Sequence, residues 1–566
     1  MKKILSCVAV FVLLFGMLVS WHLAKPESGT LSFTNAAVVS VDPIASDVGR
    51  QILKKGGNAI DAAIATGFAL AVTHPFAGNL GGGGFMLIYL AEKGGQVTAI
   101  DYREKAPARS TPKMFLDDRG EVDPVKSGVG YLVIGVPGTV RGLWEASKRH
   151  GKLDWKTVVE PAVKLARDGF IVDEVLSKSL KSQVRGMEQY PEFGRVYRKS
   201  DNSFYESGER MKLPDLAWTL EQIYARGADG FYKGDVAKRV VDGLQSGGGI
   251  ISLSDLANYD ARVRTPVRGT YRGYDIIGMP PSSSGGVTLI QMLNLLENFD
   301  LPSMPRRDAK TIHLLAETMR VGFYNRAKYL GDADFVQVDL PRLTSKEFVK
   351  PFRNRINLQH ATSSKELGAD IITRGEGSET THFSVIDSQG NAVSNTYTLD
   401  DGYGSRVIAP GTGFLLNNEM QDFNINPGVT DTKGLIGTTP NLIQPGKRML
   451  SSMTPAIVLK DGKPFLVTGS PGGRTIINTV LQVIVNVIDF KMDIQQAVDE
   501  PRIHHQWMPD DLEIERSLEE VVPSLQSMGD RVHVQGNQGD AQSILVKDGK
   551  KYPGVDHRTR GGAAGY

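Results

Sequence analysis

The residues with the clearest chemical potential sit together in Thr380-Thr381-His382-Phe383-Ser384-Val385-Ile386. A hydroxyl is a poor nucleophile until a base takes its proton. A threonine at a chain terminus carries that base in its own α-amino group, whose ordinary pKa is about 7.7–8.0. Cleavage of the chain before Thr380 would create such a residue. Thr380–Ile386 alternates like a strand, Asp387–Asn391 supplies turn residues, and Ala392–Leu399 alternates again, so a hairpin is predicted. With the turn centred on Gln389, antiparallel pairing sets Thr398 opposite Thr380 on one face, with Cβ atoms about 5 Å apart. A slip of one residue would destroy that pairing.

A second segment, Gly469-Ser470-Pro471-Gly472-Gly473, follows the apolar run Phe465–Thr468 and precedes a helix starting near Thr475. Backbone N–H groups of Gly472 and Gly473 can converge on a developing oxyanion at such a junction, because glycine permits the dihedrals and the close approach; the segment can equally be a plain strand-to-helix turn. Ser451-Ser452 lies beside Lys447-Arg448, and Arg103 is the one base in Asp101-Tyr102-Arg103-Glu104. Each could hold a carboxylate, and each could equally be surface.

Other chemistries lack their residues. Neither G-x-S-x-G nor HExxH occurs, and the run Gly81–Gly84 fits neither the GxGxxG nor the GxxxxGK[S/T] phosphate pattern, so it is expected to be a close-packed turn. His504 and His505 would point to opposite sides of a strand, which suits packing and not a shared metal. The only cysteine, Cys7, excludes disulfides and thiolate chemistry from the rest of the chain. Lys2 and Lys3, the apolar stretch Ile4–Val19 and small or polar residues to Ala24 have the order of an export signal, or of an N-terminal anchor if they are retained.

These groups must be held by the remaining sequence. The 566 residues are 41% apolar and 23% charged, and 65 basic against 63 acidic residues leave +2, so the field of a nucleic-acid binder is missing. Helices are predicted at 45–55, at 59–72, through much of 155–259, and at 287–296 and 476–489. Strands beyond the hairpin are predicted at 413–417, 456–460, 464–467 and 543–546. Residues 345–379 are polar and aperiodic, and are expected to be exposed and mobile.

Taken together, Asp101–Pro107, Thr380–Val385, Leu415–Met420, Leu450–Met453, Gly469–Gly473, Pro501–Trp507 and the Ala-Gly-Tyr end resemble the gamma-glutamyltransferase family, an exported branch of the N-terminal nucleophile hydrolases. The resemblance implies an α+β fold, a four-layer αββα sandwich autoprocessed into a large subunit of 25–379 and a small subunit of 380–566 that stay together as a heterodimer. It implies a catalytic set of Thr380 as autoprocessing residue and nucleophile, Thr398 as its orienting partner, and Gly472 and Gly473 as oxyanion hole. Arg103, Ser451 and Ser452 would hold a substrate α-carboxylate, and Glu419 and Asp422 its α-ammonium. The implied substrates are glutathione and other gamma-glutamyl amides, with water or amino acid and peptide acceptors. No metal or organic cofactor is implied, no nucleic acid, and no membrane contact beyond a retained N-terminal segment; the place of action is periplasmic or extracellular.

Two positions depart from the family pattern. Asp400, followed by Asp401, stands where many members carry asparagine, and would add a third carboxylate to the ammonium site. In the lid loop 424–440, Lys433 stands where some bacterial members have a gating tyrosine. The rival readings are a glutaryl or cephalosporin acylase with the same nucleophile, against which Glu419 and Asp422 argue, and an unprocessed binding protein. The nucleophile assignment makes a direct prediction. The purified protein migrates as two fragments on a denaturing gel, the smaller beginning at Thr380 by N-terminal sequencing, and Thr380→Ala remains one inactive chain.

Overall fold

The computed structural model describes residues 31–368, 379–429 and 437–566. The segment 1–24 expected to be an export signal or anchor, residues 369–378 ahead of Thr380, and Lys433 lie outside the described residues. Two sheets are built from β1 (Ala37–Ser40), β2 (Gly83–Leu90), β3 (Gln96–Tyr102), β4 (Arg262–Arg264), β5 (Val267–Tyr271), β6 (Tyr274–Gly278), β7 (Glu379–Ile386), β8 (Ala392–Asp400), β9 (Ala456–Lys460), β10 (Lys463–Thr468), β11 (Gln542–Lys547), β12 (Lys550–Val555) and β13 (Gly562–Gly565). The seven-stranded sheet runs β13-β1-β7-β8-β2-β3-β4, and the six-stranded sheet runs β12-β11-β10-β9-β6-β5. The helices used below are α1 (Pro43–Lys54), α2 (Ala59–Thr73), α3 (Thr139–His150), α4 (Trp155–Asp168), α5 (Gly285–Leu296), α6 (Ala309–Tyr329), α7 (Lys346–Arg353), α8 (Ser364–Leu367) and α9 (Thr475–Ile488).

The side-chain period of two explains the stacking. Along β2, Met86, Ile88 and Leu90 join the core under α2, α3 and α4. The alternate residues Phe85, Leu87 and Tyr89 join a second core with Ile457 and Leu459 of β9. The other face of β9, Ala456 and Val458, meets α5, α6 and α9 in a third core. Helix, sheet, sheet and helix thus form four layers, as the resemblance implied. Helix α2 is buried at all of its fifteen positions, starts on an Asn58–Asp61 capping box, and approaches the sheet closely because Ala and Gly dominate it.

Strands before and after Thr380 interleave. β7 pairs with β1 on one side and with β8 on the other, and β8 pairs in turn with β2. Phe33–Tyr566 is accordingly one compact unit, and the boundary at 379/380 separates no independent domains. Among the described residues no helix is long and apolar enough to cross a membrane.

Two expectations are corrected. Residues 345–368 stay mostly exposed or half-buried, as expected, but form defined structure: Ser345 caps α7, Ser363 caps α8, and Ser364 accepts from Arg320 and donates to Asp510. Their polar texture reflects short helices that bury little, with Val349 the one fully buried residue of α7. Residues 413–417 form no strand; Leu415 and Leu416 make single bridges, to Ile408 and Gly81.

The glycine run is a close approach, as expected. A Cβ on Gly82 would stand 1.9 Å from the Thr398 carbonyl oxygen, so any larger residue pushes against the strand that carries Thr398. Gly82→Ala is therefore expected to lose about 1–3 kcal/mol of unfolding free energy in urea, together with activity. Gly536→Ala, with no neighbour within 4 Å, is the control and stays within about 0.5 kcal/mol.

Candidate active site

The hairpin has the expected register from Ala392↔Ile386 to Tyr397↔Thr381, after which a bulge pairs Asp400 with Glu379. The Thr380 hydroxyl donates to the Thr398 hydroxyl across the two strands at 3.4 Å. Thr398 Oγ1 also accepts the Asp400 N–H at 2.7 Å, and Asp400 is held at φ 81°, a left-handed conformation that Asp tolerates better than most residues. Beneath the hairpin, His382 bonds Thr396 at 2.8 Å and Ser384 at 3.1 Å, and its complete burial pushes its pKa down to about 3. A Cβ on Gly469 would lie 2.3 Å from the His382 ring, so the strand of Thr380 and the glycine loop are in direct contact.

One small cavity brings together the sequence-predicted residues Arg103, Thr380, Thr398, Asp400, Glu419, Asp422, Ser451, Ser452 and Gly473, with Met453 and Ile476 completing its wall. Gly472 borders an adjoining cavity of about 420 Å³ that Thr380 also lines. Gly472 and Gly473 have φ of 124° and 56°, conformations that favour glycine, at the step from β10 into α9. Behind this step Asp540 donates its N–H to Ser470 Oγ at 2.9 Å, while its carboxylate accepts from Thr559 at 2.5 Å and Gln542 at 2.6 Å.

Arg103 follows directly on β3 and is wholly buried. Its guanidinium donates to both Glu419 and Asp422, with Glu104 at 3.5 Å and the Met449 carbonyl at 3.3 Å. Burial works against its charge, and Glu419 and Asp422 more than reverse this, so it stays a cation. Asp400, Glu419 and Asp422 bring carboxylate oxygens within 4.8 Å of one another. Burial, and then the charges of Asp422 and Glu419, push the Asp400 carboxyl well above the usual range. Burial also raises Glu419, against the pull of Arg103. The arrangement offers a cation and an anion receptor side by side, beside the Thr380 hydroxyl.

Neighbouring candidates fall elsewhere. Arg448 turns to Asp101 at 3.3 Å, and Lys447 donates to the Pro440 and Leu442 carbonyls. His504 bonds Asn478 and Gln506, His505 faces Asp510, and burial lowers both imidazoles to about 4, as packing residues. His313, Glu317 and Asp530 have metal-like spacing, yet His313 uses its ring nitrogens on Asp530 and the Asn357 carbonyl, and Arg320 faces both acids. Sequence reasoning missed Asn418, which donates to Asp400 at 2.8 Å and accepts from the Asp401 N–H at 3.0 Å. It lies inside the segment 415–420 quoted above, and its position just before Glu419 was the available signal.

Two stacked sheets, one of them carrying Thr380 in a central strand, with helices covering both outer faces, are the architecture of the N-terminal nucleophile hydrolases. Residues 45–566 match the family model described as gamma-glutamyltranspeptidase. The chain is 46% identical over 530 residues to the glutathione hydrolase proenzyme of Escherichia coli, covering 92% of this chain and 90% of that protein. It is 37% identical to the acylase ACY 1 proenzyme of a Pseudomonas species, covering 88% and 86%. Among solved structures, a cephalosporin acylase from Bacillus halodurans matches with a TM-score of 0.83 at 25% identity, over 97% of this chain and 98% of that one. The gamma-glutamyltranspeptidase of Helicobacter pylori matches with a TM-score of 0.55 at 44% identity, over 57% and 91%. The chain belongs to the gamma-glutamyltranspeptidase family.

The support behind Ser470 makes a testable pH dependence. Burial, and then Asp556, push the Asp540 carboxyl up to about 7 from an ordinary 3.8. Folding therefore takes up a proton between these values; the stability it contributes is present below about pH 4 and lost as pH rises through about 7. Asp540→Asn should flatten the fall of Tm between pH 5 and 8, measured by differential scanning fluorimetry. An unchanged slope would show that Asp540 carries no such proton.

Proposed function

We propose that the protein is an exported gamma-glutamyl transferase and glutathione hydrolase that matures by self-cleavage before Thr380 into a two-subunit enzyme. The observation that carries this reading is the single cavity in which Thr380 and Thr398 meet a buried Arg103, a serine pair and three carboxylates. A gamma-glutamyl group presents an α-carboxylate and an α-ammonium at one end and the scissile amide at the other. Arg103, Ser451 and Ser452 suit the carboxylate; Glu419, Asp422 and Asp400 suit the ammonium. Such charge-assisted contacts are worth about 1.5–3 kcal/mol each. An ammonium among the three carboxylates offsets the burial and the neighbouring like charges that raise the Asp400 carboxyl.

In the reaction, Thr380 Oγ bonds to the γ-carbonyl carbon as its proton passes to the α-amine, with Thr398 orienting the hydroxyl and the Gly472 and Gly473 N–H groups facing the oxyanion. The C–N bond breaks, the leaving amine takes the proton, and an ester to Thr380 remains. Water or the amine of an amino acid or peptide then attacks this ester, giving up a proton to the α-amine; the bond to Thr380 Oγ breaks, the α-amine returns the proton to Oγ, and glutamate or a new gamma-glutamyl amide is released. The names of the Escherichia coli and Bacillus subtilis relatives, glutathione hydrolase proenzymes, support both the substrate and the maturation step. The Lys2-Lys3 and Ile4–Val19 order supports export, with either cleavage or anchoring of that segment.

The test is turnover of gamma-glutamyl and glutaryl p-nitroanilides, with and without glycylglycine as acceptor. The expected result is at least about tenfold preference in kcat/KM for the gamma-glutamyl compound, and acceleration by glycylglycine. Asp400→Asn should keep catalysis and shrink the preference. Equal turnover of the two anilides would favour the acylase reading and remove the ammonium site.

A further inference from the structure

On α6, one helical element away from the cavity, Arg326 is buried to 2% exposure. A guanidinium in a helical layer is costly to desolvate unless hydrogen bonds repay it, and an aliphatic side chain would fill the same space with less penalty. Two of its hydrogen bonds run to the machinery just described. Arg326 Nη2 donates to Ser452 Oγ at 3.1 Å, and Nε donates to Ser284 Oγ at 2.8 Å. Ser284, at the start of α5, donates both its N–H and its hydroxyl to the Ser451 carbonyl, each at 2.7 Å. The Ser451 N–H in turn donates to the Ser282 carbonyl at 3.0 Å. Arg103 holds the same stretch two residues earlier, through the Met449 carbonyl.

We infer that Arg326 is a positioning residue for recognition of the substrate α-carboxylate, acting on Ser452 directly and on Ser451 through Ser284; this rests on the function proposed above. The guanidinium does two things. It fixes the Ser452 side chain in the orientation that faces the cavity, and it polarises that hydroxyl, since an oxygen that accepts from a cation is a stronger donor of its own proton. The second branch fixes the backbone of Ser451, so both hydroxyls are presented together beside Arg103. The recognition of a carboxylate by two neutral serines is thereby strengthened by a cation that does not touch the substrate. The selectivity it confers concerns the carboxylate alone and not the ammonium, which lies on the Glu419 side.

The experiment compares gamma-glutamyl p-nitroanilide with 4-aminobutanoyl p-nitroanilide, which keeps the amide and the ammonium and lacks the α-carboxylate. Processed two-chain enzyme is used throughout. In Arg326→Gln the preference for the first substrate should fall about tenfold, through KM more than kcat, while kcat/KM for the second stays within about twofold. Arg326→Lys, which keeps the charge, should recover part of the loss. In a Ser452→Ala background Arg326→Gln should lower the preference by less than it does in the parent, since the direct branch is already gone. Equal losses on both substrates would reduce Arg326 to general support of the fold and overturn the inference, as would an unchanged preference. Should Arg326→Gln yield no processed protein, Arg326→Lys and Ser284→Ala decide: a lower preference in both supports the role, and an unchanged one refutes it. A parent that turns over neither substrate would refute the function instead, so the two failures are distinct.

Discussion

A guanidinium with no access to water must have its counter-charges within reach, and much of the site is arranged around meeting that demand for Arg103. The residue follows β3, its N–H donates to Asp101, and its carbonyl accepts from Tyr259. Its head draws in the turn Glu419–Asp422 from a point 316 residues further along the chain, and the Met449 carbonyl ahead of the serine pair. Removing one partner from such a buried set leaves a charge uncompensated, at a cost of about 3–5 kcal/mol, so each of these segments is fixed relative to the others. The recognition end of the cavity is in this sense one electrostatic object contributed by three distant stretches of chain.

The reacting end depends on hydrogen bonding along a sheet. β7 has a neighbour on each side, β1 from the part of the chain before Thr380 and β8 from the part after it. Scission ahead of Thr380 would detach Glu379 from β7 and leave the pairings of residues 381–386 with β1 and β8 in place, so the two products have every reason to remain a single body. The α-amine released there would stay where the sheet holds Thr380, close to the Thr398 hydroxyl. His382 then ties this strand to the loop of Gly472 and Gly473 by contact at Gly469, which sets Thr380 and the two glycines in one frame.

Local chemistry made part of this legible in the sequence. Alternation on both arms and the turn residues Asp387–Asn391 were enough to give the hairpin its register, and the apolar run ahead of Gly469–Gly473 marked a strand-to-helix step. Long-range electrostatics was not legible: the resemblance gave Arg103 and Glu419 separate duties toward a substrate, whereas the protein pairs them with each other. Nothing in the pattern of Ala309–Tyr329 distinguished Arg326 from a solvent-facing base, because a polar partner network leaves no periodicity. The helices within 345–368 were hidden for a related reason, since short helices held by Ser345 and Ser363 caps bury too little to show an apolar stripe.

The pairing of Arg103 with Glu419 and Asp422 also explains how a site on this fold could separate gamma-glutamyl from glutaryl compounds although the nucleophile is indifferent to either. A zwitterionic head group brings one anion and one cation. Its carboxylate can take Arg103 while its ammonium takes the acids that Arg103 releases, so every buried charge keeps a partner throughout the exchange. A glutaryl group brings only the carboxylate. It would claim the guanidinium and leave Glu419 and Asp422, with Asp400 beside them, short of positive charge in a place where burial already pushes Asp400 and Glu419 toward protonation. On the function proposed above, the selection would come less from attraction of the right substrate than from the penalty on a substrate that breaks an ion pair without replacing it. A fold similar to that of a cephalosporin acylase is compatible with that discrimination, since the carboxylates, and not the layers that carry them, would enforce it.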